Sequence, residues 1–333
     1  MKPALVSVVI PTFNRADLLR ECLNSVAAQS YRPLEVIVAD DGSTDDTERT
    51  VAEFRERSKA IKGLDVVYLP LLRGGAPKAR NAGVARASGR FVQYLDSDDL
   101  LHPRKIELQV AAFAARPESE FVWGLYRYFD GAAPAGHESF GERTVQKARF
   151  FTAKRWNEIP GMVHIGLFRH EACARIGPWC ETLARWQDVE YMMRFARLQP
   201  KVARLNAVLY YLRRHAGGQI QDLYNQAEGV RSGLYSLDVI EKALPAVPAP
   251  DPDMQRSMSN FYKSIAETAL QSGLKPEFRA AMRGAVRHRP VLGFRLRAMC
   301  IQCVCSCFGS GAALRLLQSY HSVRLPSPPE CVN

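Results

Sequence analysis

The sequence lacks a long apolar segment. Its 333 residues are 47% hydrophobic and 24% charged, which is typical of globular proteins, and no apolar run approaches the roughly 20 residues that cross a bilayer. The first residues enter a strand pattern without the positive region, apolar core and cleavage site of a secretory signal. We therefore expect a cytoplasmic protein rather than a secreted or membrane-spanning one.

Cysteine is also scarce. Eight cysteines in 333 residues are too few for a spread disulfide framework, so reduced thiols are expected. Four of them cluster at Cys300, Cys303, Cys305 and Cys307, but no second pair of zinc ligands stands at the usual spacing. Packed or acylated thiols are a better interpretation of this cluster than structural zinc.

Acidic residues are few near the end of the chain. The formal net charge is +11, and residues 274–333 contain nine Lys or Arg against two Glu. Arg279, Arg283 and Arg287 recur every four residues opposite apolar positions, which predicts a basic amphipathic helix. Anionic membrane surfaces bind such helices, and a solvated face packed on the domain is the equal alternative. Nucleic-acid binding is not expected, because no known reader motif accompanies the charge.

The chain does contain a repeated alternation of strand and helix patterns. Apolar, β-favouring runs at residues 5–10, 34–39, 65–69 and 91–95 each lead through a loop into a helical pattern. This order predicts an α/β fold with a mainly parallel sheet and helices on both faces. Ligands of such sheets bind beyond the carboxyl ends of the strands, which is where we expect the active site.

One of these strand ends is strongly acidic. The stretch FVQYLDSDD, residues 91–99, places Asp96, Asp98 and Asp99 within four positions. Carboxylates this close repel one another unless a cation lies among them, so a divalent metal that also holds a phosphate is one interpretation. An acidic turn capping the next helix is the other, and we expect Asp99 to be the capping member.

Four stretches of the chain together resemble glycosyltransferase family 2. They read VSVVIPTFNR, VIVADDGSTDDT, ARNAGVARASGRFVQYLDSDDLLHP and WQDVEYMMR, and their order and strand-end placement agree over about residues 5–215. The resemblance implies a GT-A fold and an inverting, metal-dependent sugar transfer from a nucleotide sugar, most simply a UDP-sugar. The QxxRW motif of processive synthases does not follow WQDVEYMMR, so transfer of a single sugar is expected.

The resemblance also implies roles for individual residues. Asp188 matches the catalytic base, with Gln187 where the family usually has an acid and Glu190 as the alternative base. Asp98 would ligate Mn²⁺ or Mg²⁺, and His215 would contact the metal or a phosphate. The remaining residues would bind the donor nucleotide, with Asp96 nearer the ribose; they are Pro11, Thr12, Phe13, Arg15, Asp40, Asp41, Arg80 and Asp96.

Two further expectations concern organisation and partners. We expect a catalytic domain at residues 1–220 and a helical extension at 221–333, joined through a proline-rich connector at 245–252. The acceptor would be a glycan or a lipid-linked hydroxyl used in cell-surface polysaccharide synthesis, reached at the inner face of the plasma membrane. A nucleotidyltransferase acting on sugar phosphates is the rival enzyme, although the loop Pro11–Asn14 lacks the Gly-rich, basic composition that binds a triphosphate.

Overall fold

The computed structural model describes residues 3–131, 149–152, 158–214, 227–243, 252–289, 298–303, 305 and 309–318. Within these residues the predicted α/β fold is confirmed, with a nine-stranded sheet flanked by helices. His215 and nearly all of the predicted connector, residues 245–251, lie outside the described residues. The division of the chain at residue 220 also falls outside them and stays a prediction.

The first half of the sheet is parallel. The strands lie in the order β3-β2-β1-β4, and Val6 of β1 aligns with Leu34 of β2 and with Phe91 of β4. This alignment brings the loops after β1, β2 and β4 to one edge. The elements of this half are β1 (Val6–Thr12), α1 (Ala16–Ala27), β2 (Leu34–Asp40), α2 (Thr47–Ser58), β3 (Leu64–Pro70), α3 (Ala76–Arg86) and β4 (Phe91–Tyr94).

The second half of the sheet is mixed. It continues from β4 in the order β8-β6-β9-β5, with β7 on β9, and β8 runs antiparallel to both of its neighbours. Residues that precede β8 therefore lie at the same edge as residues that follow β4. The elements are β5 (Leu100–Leu101), α4 (Lys105–Ala115), β6 (Phe121–Asp130), β7 (Arg149–Thr152), β8 (Gly166–Arg169), α5 (His170–Ile176), α6 (Gln187–Arg197) and β9 (Lys201–Arg214).

The core forms where the sequence pattern indicates. Every residue of β1 and β2 is buried, as expected for strands covered by helices on both faces. Helix α3 approaches β1 so closely that a Cβ on Gly83 would lie 2.4 Å from Cγ1 of Val9. The small residues of this helix therefore set its distance from the sheet.

The C-terminal residues that are described form helices, as predicted. They are α7 (Ala227–Ala243), α8 (Pro252–Gln271), α9 (Lys275–His288) and α10 (Ser310–Gln318), and residues 298–303 are also helical. The Phe261 ring of α8 lies 5.1 Å from the Trp186 ring, and Ser236 of α7 donates a hydrogen bond to the backbone oxygen of Arg185. These helices thus pack against the segment that enters α6.

Helix α9 has the two faces that the sequence predicts. Phe278 and Met282 are each 1% exposed, whereas Arg279, Arg283 and Arg287 are exposed. In the part of the chain that is described, every helix is too short or too polar to cross a bilayer. Cys300 and Cys303 are exposed thiols and Cys305 is buried; Cys307 lies outside the described residues.

Candidate active site

A cavity of about 560 Å³ opens at the carboxyl edge of the parallel strands. Loops after β1, β2 and β4 form one side of it, and residues before β8 and at the start of α6 form the other. Eight of the residues predicted to bind donor or metal line it, and these are Pro11, Thr12, Phe13, Arg15, Asp41, Arg80, Asp96 and Asp98. The topology therefore gathers residues that are up to 87 positions apart in the sequence into one site.

The loop after β2 is bonded to the loop before α3, and both line the cavity. The Asp41 carboxylate accepts hydrogen bonds from the backbone N–H groups of Gly74 (2.7 Å) and Gly75 (2.8 Å). The Arg73 guanidinium lies 3.1 Å from Asp41 and stacks over the Phe13 ring, 3.2 Å from its centroid. The Phe13 ring is a flat apolar surface of the kind that stacks with a planar group such as a nucleobase, and here the Arg73 guanidinium occupies that place.

Asp40 has a different environment from its neighbour. Its carboxylate accepts hydrogen bonds from the backbone N–H of Ser43 (2.9 Å) and from the Tyr68 hydroxyl (2.6 Å), and it is not part of the cavity wall among the described residues. Asp40 thus supports the loop that carries Asp41. Its predicted contact with the nucleotide stays a prediction.

The acidic cluster after β4 divides into three roles. Asp96 accepts a hydrogen bond from Arg80 at 2.8 Å, and Asp98 lies 2.5 Å from Arg15. Asp99 points away from the cavity, where it accepts hydrogen bonds from the Tyr210 hydroxyl (2.7 Å) and the Arg213 backbone N–H (2.8 Å). The prediction that Asp99 caps the following helix is wrong, because its carboxylate instead joins the acidic loop to β9.

The pKa values of these carboxyls move in opposite directions. Burial and the nearby charges of Asp98 and Asp96 raise the pKa of Asp99 well above its usual value. Burial opposes ionisation of Asp96 too, but the adjacent Arg80 and His164 lower its pKa overall. Asp96 is therefore charged at neutral pH and can accept hydrogen bonds from a ligand.

Arg80 links the two sides of the cavity. Its Nη2 donates a hydrogen bond to Asp96 and its Nη1 donates one to the Gln187 side chain, each at 2.8 Å. The guanidinium lies 4.7 Å from the Trp179 ring centroid. The neighbouring Asn81 both donates to the backbone oxygen of Trp179 (3.0 Å) and accepts from its N–H (2.7 Å). Helix α3 thereby fixes the segment that leads into α6.

Asp188 lies in the first turn of α6, next to the cavity. Trp186, at the helix N-cap, adopts a left-handed conformation with φ of 55°, which turns the chain into the helix. Burial raises the pKa of Asp188, although Arg80 and His164 act in the opposite direction. A carboxylate with a raised pKa is a stronger base. Glu190 is unsuited to that role, because both of its oxygens bind Arg194, at 2.6 and 2.9 Å.

Several cavity residues were not singled out as site residues by the sequence patterns. Among them are Arg73 in the loop before α3, Tyr128 in β6, and Met162 and His164, which precede β8. Because β8 runs antiparallel to β4, the start of this strand, not its end, reaches the site. A rule based on parallel strand ends cannot find such residues; the signal available was a histidine within an apolar stretch.

The cavity suits a cation shared with a ligand rather than one held by protein alone. Among the described residues, His, Cys, Asp and Glu form no group of three that could hold a metal ion. Mg²⁺-like ions commonly use only one or two carboxylates together with substrate phosphates. The Asp98 carboxylate lines the cavity and is 15% exposed, so it fits such a site.

Comparison with known sequences gives a consistent picture. The family model described as "Glycosyl transferase family 2" matches residues 7–177. An uncharacterized glycosyltransferase of Rickettsia prowazekii is 36% identical over 106 residues, which are 32% of this chain and 31% of that protein. The UDP-Glc:alpha-D-GlcNAc-diphosphoundecaprenol beta-1,3-glucosyltransferase WfgD of Escherichia coli is 35% identical over 136 residues, 41% of this chain and 51% of that one. The chain thus spans about half or less of these curated relatives.

Solved structures resemble the whole fold. S. aureus TarS in complex with UDP-GlcNAc has a TM-score of 0.63 at 17% identity, over 96% of this chain and 93% of that one. The mannosyltransferase PcManGT of Pyrobaculum calidifontis, in complex with GDP-Man and Mn²⁺, has a TM-score of 0.55 at 18% identity, over 96% and 85% of the two chains. At these identities the likeness concerns the fold alone.

Proposed function

Because the chain belongs to glycosyl transferase family 2, we propose that it moves a single sugar from a nucleotide sugar to a hydroxyl group with inversion at the anomeric carbon. The observation that carries this proposal is the cavity itself. It gathers Asp96 and Asp98 with Arg15 and Arg80 at one sheet edge, and Asp188 lies beside it. Nucleotidyl transfer finds no comparable support, because the loop Pro11–Asn14 has no glycine or lysine to hold a triphosphate.

The donor would bind along the wall formed by the parallel strands. Phe13 offers its ring to the base, and Asp41 and Asp96 offer carboxylate oxygens to base N–H groups and ribose hydroxyls. Arg15 and Arg80, two of the three described arginines in the cavity wall, would face the diphosphate. A UDP-sugar is the proposed donor, and two of the similar proteins support it, since the name of WfgD specifies UDP-Glc and TarS was crystallised with UDP-GlcNAc.

Asp188 would act as the general base. Its carboxylate takes the proton from an acceptor hydroxyl while that oxygen forms a bond to the anomeric carbon. The bond from that carbon to the diphosphate oxygen breaks, and the nucleoside diphosphate leaves with the electron pair. Attack from the face opposite the leaving group inverts the configuration, which is why one base and no covalent intermediate are sufficient.

A divalent cation, Mn²⁺ or Mg²⁺, is the proposed cofactor. When bound, such an ion would neutralise the charge of the diphosphate and so favour its departure. Asp98 would hold it, and His215 is a second predicted ligand that lies outside the described residues. The Mn²⁺ complex of PcManGT supports the proposal by likeness of fold.

The acceptor would be a glycan or a lipid-linked hydroxyl in cell-surface polysaccharide synthesis. The E. coli relative's name includes a diphosphoundecaprenol acceptor. A peripheral position on the inner face of the plasma membrane would bring the site to such an acceptor. The exposed arginines of α9, Arg279, Arg283 and Arg287, supply a surface that attracts anionic lipid.

A thermal-shift screen of nucleotide sugars tests the donor class. Ligand that binds only the folded protein raises its apparent stability by mass action. We expect UDP, UDP-glucose or UDP-N-acetylglucosamine to raise the melting temperature in the presence of Mn²⁺ or Mg²⁺, with a smaller rise after EDTA. No shift with any nucleotide sugar, with or without metal, would contradict the proposal. A shift with GDP-sugars alone would correct the nucleotide while leaving the reaction class in place.

A further inference from the structure

His164 is a buried side chain that lines the cavity. It is 6% exposed, and neither ring nitrogen has a hydrogen-bond partner among the described residues. A buried polar group left without a partner destabilises the folded protein. Such a group facing a cavity indicates a contact that the protein completes only when the site is used.

The imidazole lies between the two carboxylates that the proposed reaction uses. Its Nδ1 is 3.6 Å from Oδ2 of Asp188 and 3.7 Å from Oδ2 of Asp96, and its ring stacks on Tyr210 with 4.7 Å between centroids. Both distances are slightly longer than a hydrogen bond, so a shift of about half an ångström would make either one. A single Nδ1–H can serve only one of the two carboxylates at a time.

The backbone of this segment is held by buried polar side chains. Gln93 in β4 donates a hydrogen bond to the backbone oxygen of His164 at 2.7 Å. Lys105 and Gln109 of α4 both donate to the next carbonyl, that of Ile165, at 3.2 and 3.3 Å. Lys105 is fully buried, and this burial lowers its pKa well below its usual value. The backbone that carries the imidazole is therefore held in place by the protein itself.

Asp96 and Asp188 differ in what they already bind. Asp96 accepts a hydrogen bond from the Arg80 guanidinium at 2.8 Å. The contact that the structure gives the Asp188 carboxylate is with the backbone N–H of Val163, the residue before His164. Asp188 has no guanidinium at hydrogen-bond distance among the described residues, so it gains more from an imidazole donor than Asp96 does.

We propose that His164 is a positioning residue for the transfer reaction. Its Nδ1–H donates to Oδ2 of Asp188 and directs the other carboxylate oxygen toward the acceptor hydroxyl. This inference rests on the proposed function, because it takes Asp188 to be the base. It assigns a role to the one cavity histidine in the described residues, whose sequence position before β8 gave no sign of it.

Three substitutions separate the roles of the two ring nitrogens. In His164→Asn the amide nitrogen can replace Nδ1, in His164→Gln it replaces Nε2 instead, and His164→Phe keeps the ring on Tyr210 without a donor. The assay is UDP release from UDP-glucose and from UDP-N-acetylglucosamine with Mn²⁺, in which water replaces the acceptor. We expect kcat to fall about 100-fold in the Phe and Gln variants and no more than about tenfold in the Asn variant, with KM nearly unchanged.

A double-mutant cycle tells a failed positioning role from a failed base. If His164 acts through Asp188, the double variant His164→Phe/Asp188→Asn should be no slower than Asp188→Asn alone. Wild-type turnover in Asp188→Asn would show that the proposed base is wrong. Loss of turnover in Asp188→Asn with wild-type turnover in His164→Phe would overturn the positioning role alone.

Nitrogen NMR of histidine-labelled protein gives a readout that needs no turnover. The His164 signals are those that disappear in His164→Phe. We expect Nδ1 to carry a proton in the wild type, with a shift of the Nδ1 signal in Asp188→Asn and little change in Asp96→Asn. An Nε2–H tautomer, or a signal that responds to Asp96→Asn and not to Asp188→Asn, would contradict the inference.

Discussion

Buried polar groups lie at both edges of the parallel strands, and those at the amino edge differ in their hydrogen bonding from those that line the cavity at the carboxyl edge. At the amino edge, the Glu35 carboxylate is 5% exposed and accepts hydrogen bonds from the backbone N–H groups of Ser88 (2.6 Å) and Gly89 (2.9 Å). The Ser88 hydroxyl donates to it as well, and so does Ser7. The chain itself supplies every one of these partners.

At the carboxyl edge the chain leaves several such groups without partners. Among the described residues, the Thr12 hydroxyl, Nε of Arg80 and both ring nitrogens of His164 are buried and make no hydrogen bond. All three residues line the cavity. Since an unpaired buried donor or acceptor is costly, these groups are explained best as contacts that are completed when the site binds its ligand.

Structural and functional polar residues of this fold differ in their hydrogen-bond partners and in their place. Burial alone does not distinguish them, because Glu35 and His164 are equally hidden. A carboxylate with several internal donors, such as Glu35, holds the fold together. An unpartnered group indicates a ligand site only where it also lines the cavity, because unpartnered buried atoms such as Nε of Arg32 occur elsewhere too. Substitutions at the two edges should therefore affect different measurements.

The largest expected effect is at the carboxyl edge. Asp188→Asn should lower sugar transfer, or UDP release from a UDP-sugar, by about 10²–10⁴-fold, the usual contribution of a general base. UDP affinity, measured by calorimetry, and the melting temperature should remain close to those of the wild type. Turnover within threefold of the wild type would show that another group removes the proton.

The pH dependence of the same reaction gives a second view of Asp188. The base must be ionised to act, so the rate falls as pH drops through its pKa. Because burial raises that pKa, we expect the acid limb of the kcat profile to lie above the usual range of an aspartate. An acid limb at or below that range would contradict the burial described for this side chain.

A smaller effect, on stability alone, is expected at the amino edge. Glu35→Gln replaces the charged acceptor of the backbone N–H groups of Ser88 and Gly89 with a neutral amide. This should lower the free energy of unfolding by about 1.5–3 kcal/mol. Denaturant titration measures this change. The substituted protein should keep wild-type kcat and UDP affinity, and a loss of either at full stability would break the distinction between the edges.

The pKa of Glu35 fixes the sign of its pH dependence. Burial opposes ionisation, but the hydrogen bonds from Ser7, Ser88 and Gly89 lower the pKa overall. The carboxylate therefore stabilises the folded state at pH values above the unfolded pKa, and this contribution is lost as pH falls through the folded one. Glu35→Gln should remove that part of the dependence of stability on acid pH, so the free energy of unfolding of the variant should vary less as pH falls.

The smallest effect is expected for Arg73, which covers the Phe13 ring. A nucleobase that stacks on Phe13 must displace the guanidinium. An exposed cation–π contact is worth about 0.5–1 kcal/mol, so Arg73→Ala should tighten UDP binding by about two- to fivefold in a calorimetric titration. Weaker binding in this variant would mean that Arg73 contacts the nucleotide instead of blocking its place.

The sequence predicted the parallel half of the fold and eight of the residues that line the cavity. Apolar runs ending in Pro11–Asn14, Asp40–Asp41 and Asp96–Asp99 are each local signals, and parallel strands bring their ends together by a general rule. The small residues of α3 and the two faces of α9 follow from composition and period in the same way. These features depend on the order of residues along one segment.

Other features depend on strand direction and on contacts between distant segments. The antiparallel course of β8 decides that His164 reaches the cavity, and no local pattern shows that direction. Asp99 was expected to cap a helix close in sequence, yet its partners Tyr210 and Arg213 lie more than 100 residues later. Likewise, Asp40 and Asp41 are adjacent and identical, and only the surrounding Tyr68 and Gly74 distinguish their roles.

The proposed site at the carboxyl edge is tested most directly by calorimetric titration of UDP. The titration is done with Mn²⁺ and with EDTA, into the wild type, Asp98→Asn and Glu35→Gln. We expect Mn²⁺ to raise the affinity for UDP about 10–100-fold in the wild type and in Glu35→Gln, and we expect Asp98→Asn to lose this gain. Metal-independent binding of equal strength in all three proteins, or no binding of UDP to the wild type, would contradict the proposed site.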